Sequence, residues 1–421
     1  MRESMQGSTI AHAGSRFSQR LRIFKLIFVP LLSFSLAGQT AVVWTQLADI
    51  RDGYFDFVLY HSAARIIVDG NGAQLYDLAV QKDYQKAARV APQHRPLPFN
   101  HLPYELLALL PLAQLSFPAA HLVWAAMNLL VLLAILFRLA PLVTALPRYL
   151  SCLMLLAFFP TLTTLKMGQD SLITTYLLTE TLISLKRRRN ALAGCLLALG
   201  LYKPQLFLPI TAILLCQRRW HAIGGFLATA AILIGISLTM VGWHGLTGLL
   251  ALWLPMTERG NVVWPELMIN LRGLLFIVLH HMGLTSLTNL LTVAISLPVF
   301  CVTLRCWSRD LAERPDGFEL PFALAVVMTA LVSFHLYSYD GLLLAIPLVL
   351  MLNHALKAQL QSPAQRVFLP LLIVMFIPLL PNALLGYAVL AWWALPVPLL
   401  FAVIAWEIGD RSQLTQAGVR T

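Results

Sequence analysis

Charge is what this sequence has least of. Only 12% of its 421 residues are charged, about half the roughly 25% that a soluble chain uses to solvate its surface. Most of the outer surface must therefore face something other than water, which excludes a large soluble globular protein. Cysteine is also sparse. Cys152, Cys195, Cys216, Cys301 and Cys306 all lie within or at the ends of apolar segments, with no zinc-site spacing and no framework of extramembrane disulfides. The sequence contains no P-loop, no dinucleotide-binding glycine fingerprint, no HExxH and no GxSxG elbow. A soluble nucleotide-binding or protease domain is thereby excluded. No internal repeat is evident.

What the chain has in excess is apolar length. It is 58% hydrophobic, with a mean hydropathy of +0.74. Crossing the hydrocarbon takes about 20 mostly apolar residues, and stretches such as Leu122 to Phe137 and Leu343 to Leu352 belong to segments of that kind. The formal charge of +11 raises a nucleic-acid partner, but the basic residues lie in short loops between apolar segments. That is the positive-inside pattern of a membrane protein, so no nucleic-acid partner is expected. The N-terminus is polar and basic through Lys25 and then apolar to about Leu47. That run is too long for a cleaved signal core and reads as a retained signal-anchor.

Loop charge fixes a topology. Lys186-Arg187-Arg188-Arg189, Arg218-Arg219, Arg138 with Arg148, Lys357 with Arg366, and both termini read as cytoplasmic. The first helix, Ile23 to Leu47, then runs outward and leaves residues 48–100 as an external loop, in which Phe57 to Val68 is amphipathic. A return helix spans Ala119 to Arg138. Further spans are expected at 149–165, 170–186, 190–202, 204–217, 220–242, 285–304, 319–336, 340–356, 366–381 and 384–406. The segments 104–115 and 266–282 must not cross, or the charge pattern inverts. The expectation is an all-α fold in one domain over 1–421: a polytopic membrane helical bundle of about twelve transmembrane helices. The segments 190–202 and 204–217 form either a broken hairpin or one long tilted helix. Trp243, Trp253 and Trp392-Trp393 read as interfacial belt residues.

Polar groups converge on the external level. Asp56 follows the first helix, and Gln169-Asp170 follows Gly168 at a helix end. Lys203-Pro204 lies at the apex of the 190–217 pair. Asn270 and Arg272-Gly273 occupy the non-spanning helix, and His335, Tyr339 and Asp340 lie in a turn between spans. Charged groups at membrane depth are costly and serve function by default. Five sequence-distant segments contributing to one level describe a cavity at the bilayer surface. His280-His281 does not form a metal-chelating pair, since adjacent helical residues point about 100° apart.

These residues resemble the polyprenyl-phosphate-sugar-dependent glycosyltransferases of family 87, which have the GT-C membrane fold. The likeness is carried by Asp56-Phe57 with Tyr60 and Ala63-Ala64-Arg65, by Gly70 and Leu75-Tyr76-Asp77, and by Pro103-Tyr104 with Pro111-Leu112. Gly168-Gln169, Ala193-Gly194, Lys203-Pro204-Gln205, Asn270, Arg272-Gly273, His335 and Tyr339-Asp340 continue it over about residues 50 to 350. Asn100-His101-Leu102-Pro103-Tyr104 departs from the family's Tyr-Pro-Pro type sequence.

The resemblance implies inverting transfer of a sugar, mannose in particular, from a polyprenyl-phosphate donor to a lipid, glycan or protein acceptor outside the cytoplasmic membrane. It makes Asp56 the catalytic base, ahead of Asp49 and Asp52. Lys203, Arg272 and His335 would bind the donor phosphate, and Gln169, Tyr60, Tyr339 and Asp340 would bind sugar or acceptor. The sequence requires neither a cofactor nor a metal, since cationic side chains can neutralise a leaving phosphate. A transporter or lipid-sugar flippase of similar helix number is the rival reading, with Glu180 as the one charged residue deep on the cytoplasmic side.

Overall fold

Helices account for all the regular structure in the computed structural model, which describes residues 2–52, 55–88, 97–258, 264–313, 317–377 and 394–416. In chain order they are α1 (Arg2–Thr45), α2 (Leu47–Arg51), α3 (Phe57–Val68), α4 (Leu78–Ala88), α5 (Phe117–Leu139), α6 (Arg148–Ala157) and α7 (Phe159–Met167). Next come α8 (Ser171–Lys186), α9 (Asn190–Leu199), α10 (Pro204–Cys216), α11 (Trp220–Glu258) and α12 (Leu271–His281). The series closes with α13 (Thr288–Glu313), α14 (Glu319–Val332), α15 (Ala345–Lys357), α16 (Pro363–Met375) and α17 (Pro396–Gln416).

Burial sorts these helices into layers. From Leu320 to Leu331 every residue of α14 is buried, and α15 is buried along nearly all its length. A helix apolar all round belongs at the centre of a bundle. By contrast, α5, α11 and α13 each keep a row of large apolar side chains exposed, including Leu122, Leu130 and Phe137, then Leu227 and Ile232, then Leu290, Val293 and Leu297. Such faces are stable only against lipid or another protein. A second, smaller core joins α3 to the start of α5 and the far half of α11, around Phe57, Tyr60, Phe99, Phe117 and Trp124.

Among the described residues, five helices are long and apolar enough to cross a membrane, or six if α6 and α7 count as one span bent by 54°. Twelve straight spans are therefore not carried by helix length, and six further apolar helices are shorter. The breaks have local causes. Pro160 lies in the first turn of α7, where it cannot continue a preceding helix. The 190–217 segment is two helices separated by a turn ending at Lys203. The expected span 220–242 continues to Glu258 through Gly242, whose φ of 68° bends it. Between Pro103 and Gln114 there are two 3-10 turns instead of one short helix, because Pro111 lacks the N–H that would continue the bonding between them. Trp392-Trp393 and parts of the expected spans 366–381 and 384–406 lie outside the described residues.

The helices share a polarity. At one end, α8 begins beside Asp170, α10 begins after Lys203, and α14 leads into the His335–Asp340 turn. At their other ends lie Lys186, Arg218 and Glu319, with Lys186 paired to Glu319. Because α8 has 16 residues, it separates these levels by about 24 Å at 1.5 Å per residue. The polar loops of one level are thus gathered on a single face.

Candidate active site

Gly168 makes the first junction possible. It ends α7 in the left-handed conformation (φ 70°), and a Cβ there would stand 2.5 Å from the Cβ of Phe57. Only glycine accepts both demands. The start of α3 therefore packs directly on the α7–α8 turn, which brings Asp56 beside Gln169. The Gln169 amide donates from Nε2 to Asp56 Oδ2 at 2.7 Å. Its Oε1 accepts from the Tyr60 hydroxyl at 2.8 Å. Gln169 thus holds a carboxylate between α3 and α8, and Trp124 Nε1 fixes the turn by donating to the Gly168 carbonyl at 2.9 Å.

The opposite wall is built from the α14–α15 turn and the start of α12. Asn270 caps α12 by accepting from the Gly273 backbone, and it donates from Nδ2 to the Ser333 carbonyl at 2.6 Å. Arg272 stacks on the Phe334 ring 3.8 Å from its centroid. The guanidinium donates to Asn289 Oδ1 and the Phe334 carbonyl, so among the described residues it engages no carboxylate. His335 meets Tyr337 edge-on at 4.4 Å.

Between these walls lies a cavity of about 540 Å³. Asp56, Tyr60, Gln169, Lys203, Arg272, His335, Tyr339 and Asp340 all line it. The rival carboxylates Asp49 and Asp52 do not; Asp52 pairs instead with Arg51 at 2.9 Å. His280 and His281 are exposed at the far end of α12. Trp243 is exposed, whereas Trp253, expected in an interfacial belt, lines the cavity and donates to the Asn100 carbonyl at 2.8 Å. Trp264 and Tyr337 also line it.

Charge in the cavity is unevenly shared. Lys203 is buried, contacts Asp170, and donates to Asp340 Oδ1 at 2.6 Å. Burial opposes its charge, but the two carboxylates outweigh that cost and push its pKa up. Ser171 also donates to Asp340 Oδ1, at 2.9 Å. The sequence reading overlooked Glu105, which lies behind His101, with Oε2 2.6 Å from His101 Nδ1. Burial raises the Glu105 pKa well above the carboxylate range, and the nearby Asp170 adds to the shift. For Asp170 burial acts the same way, but Lys203 prevails and holds its pKa low. Burial raises Asp56 too, opposed by the Gln169 hydrogen bond and by Lys203. His335 is pushed down to about 4, chiefly by burial, so at neutral pH it is an uncharged donor and not a cation. Lys166 was also missed. Its ammonium binds Gln46 at 3.1 Å and lies over the Phe55 ring, close to Asp56. His101, Glu105 and Asp170 present ligand atoms within 4.8 Å of one another.

A buried carboxylate with a hydrogen-bonded orienting group, set across a cavity from an arginine, has the parts for acid–base group transfer. The family comparison identifies the transfer. The family model described as glycosyltransferase family 87 matches residues 102–334, more than half of the chain. The chain belongs to glycosyltransferase family 87. It is therefore a glycosyltransferase built of apolar helices, using a sugar donor and an acceptor. No curated protein and no solved structure matches it. The matched segment contains Gln169, Lys203 and Arg272, while Asp56 and Tyr60 precede it and His335, Tyr339 and Asp340 follow it. The fold of this glycosyltransferase brings the outlying residues to the matched ones.

Proposed function

We propose that this glycosyltransferase moves a sugar, mannose in particular, from a polyprenyl-phosphate donor to an extracytoplasmic lipid, glycan or protein acceptor with inversion at the anomeric carbon. Asp56 is the base. It takes the proton of the acceptor hydroxyl as the new C–O bond forms, and the bond to the phosphate breaks with its electrons leaving on phosphate oxygen. Positioned general bases contribute about 10²–10⁴-fold.

The observation that carries this reading is the opposition of Asp56, held by Gln169, to Arg272 across one cavity. The Arg272 guanidinium has no carboxylate partner among the described residues and so keeps its charge for a phosphate. His335 adds a neutral hydrogen bond. Lys203, already balanced by Asp170 and Asp340, contributes to the phosphate field from the cavity lining. Tyr60, Tyr339 and Asp340 contact sugar or acceptor, and Gln169 acts first through Asp56. Fixed donors aimed at a developing anion act strongly where water is scarce.

The architecture of this reading is the GT-C fold in the inner membrane, with about twelve spans and both termini cytoplasmic. The arginine-rich turns at helix ends remote from the cavity favour an extracytoplasmic site. The transporter reading loses its main foothold in Glu180, whose carboxylate is bound by Arg138, with Nη2 at 2.6 Å from Oε2. That pair ties α5 to α8.

The test compares wild type with Asp56→Asn in native membranes supplied with radiolabelled polyprenyl-phosphate mannose. Transfer by wild type and a loss of about 10²-fold or more in the variant at equal expression is expected. Equal transfer by both removes Asp56 from the mechanism.

A further inference from the structure

Where the α7–α8 turn meets the α14–α15 turn, three carboxyl groups surround one ammonium. Asp170 and Asp340 contact Lys203 directly, and Glu105 faces Asp170 from the turn that follows His101. The glycosyltransfer described above gives Glu105 no task. Its side chain is only 9% exposed, and Oε1 meets no hydrogen-bond donor among the described residues. Asp170 is 2% exposed, and its Oδ2 likewise meets none. Two buried carboxyl groups turned toward each other with idle oxygens are costly. A proton shared between them or a bound cation relieves the cost.

We propose that His101, Glu105 and Asp170 form a binding site for one divalent metal ion of the Mn²⁺ or Zn²⁺ type. The three donors come from two distant stretches of chain, and their ligand atoms lie within 4.8 Å of one another. Two ligands about 2.1 Å from one ion stand at most roughly 4.2 Å apart, so small side-chain rotations close the set. Lys203 engages Asp170 through Oδ1, which leaves Oδ2 for the ion. His101 is held for the task by its neighbours. Its carbonyl accepts from the Tyr76 hydroxyl at 2.6 Å, and its ring packs edge-on against Tyr60. Charge also favours an ion. With Glu105 ionised as a ligand, three carboxylates against one ammonium leave an excess of two negative charges, which a divalent cation cancels. One imidazole with two carboxylates suits transition ions better than Ca²⁺ or Mg²⁺. Three protein ligands leave coordination positions open, and His101 lines the cavity on that side.

Metal binding is measured without donor or acceptor, so its outcome does not depend on the transfer reading. Full-length protein in lipid nanodiscs is stripped with a chelator and titrated with Mn²⁺, and free Mn²⁺ is counted by electron paramagnetic resonance. One ion bound per chain is expected, with ¹⁴N modulation from the imidazole in pulsed spectra. Glu105→Gln and His101→Gln should each weaken binding at least tenfold, and His101→Gln should abolish the nitrogen signal. Asp83→Asn, at an exposed pair with Lys86, should bind as wild type does. If Glu105→Gln does not fold, His101→Gln and the wild-type nitrogen signal decide the question. No stoichiometric binding, wild-type binding by the folded variants, or bound Mn²⁺ without nitrogen modulation overturns the site and leaves a shared proton in its place.

Discussion

Replacing Gln169 with leucine separates two roles that one side chain can play. Gln169 lines the cavity, which suits a contact to sugar, but its amide is spent on Asp56 at 2.7 Å and Tyr60 at 2.8 Å. If its work is done through Asp56, the variant changes the base and not the binding of substrate. The sign follows from the groups around Asp56. Burial raises its pKa and the Gln169 hydrogen bond lowers it, so removing the bond raises it further. The active form is the ionised carboxylate, present above the pKa and lost as pH falls through it. A hydrogen bond to a charged group contributes about 1.5–3 kcal/mol. At 1.36 kcal/mol per pH unit, the acidic limb of log(kcat/KM) should move upward by roughly one to two pH units. Below the limb the variant should lose about ten- to hundredfold, and well above it most of the rate should return. The assay is initial-rate transfer of labelled sugar by purified Gln169→Leu across pH, with KM for the donor followed in parallel. A constant loss at every pH, or a raised donor KM with an unmoved limb, would refute the positioning role and return Gln169 to direct sugar contact.

Arg272→Gln should reduce kcat/KM for the donor by about 10–100-fold, the worth of one charge-assisted hydrogen bond. Arg272→Lys should recover part of it, since a lysine restores charge without the planar fork; unchanged donor kinetics in Arg272→Gln would remove the phosphate contact. Gly168→Ala should destabilise the protein by about 1–2 kcal/mol from the left-handed backbone alone, and by more through collision with Phe57. Thermal unfolding in detergent reads the first effect and kcat the second, because displacing Phe57 displaces Asp56; a variant with wild-type melting and turnover would show that the α3–α7 contact is looser than described.

The helices and their polarity were legible because they follow from local rules. Apolar length, Pro204 and the basic runs at 186–189 and 218–219 mark where helices begin and end, whereas the break at Pro160 inside the expected 149–165 span did not enter that reading. α3 and α8 accordingly fall close to their expected bounds, and the first helix ends near the expected Leu47 but begins at Arg2 instead of Ile23. The convergence of Asp56, Gln169, Lys203, Arg272 and Asp340 on one level was legible for the same reason, since each lies at a helix end of one polarity. Pairing was not. Tyr60 and Gln169 are 109 residues apart, and Lys203 and Asp340 are 137 apart. No periodicity within either segment states which donor meets which acceptor. Glu105 was invisible for a related reason. In sequence it is one acid at the edge of an apolar stretch, and only the 3-10 turn after Pro103 directs it inward against Asp170.

The pairings change what the site residues can do. Lys203, as a sequence feature, is a cation at a membrane-face apex, ready for phosphate. In the fold, two carboxylates have already claimed it, and the cavity-lining arginine that meets no carboxylate among the described residues is Arg272. His335, nominally a third cation, is neutral because burial keeps it so. The field that would meet a departing phosphate therefore rests on one guanidinium and on whatever balances the excess carboxylates behind Lys203. If a metal ion fills that place, loss of Glu105 should weaken this field while leaving the Gln169–Asp56 hydrogen bond in place. The two halves of the chemistry, proton removal and leaving-group stabilisation, are then separable in this chain by residues on opposite sides of one cavity.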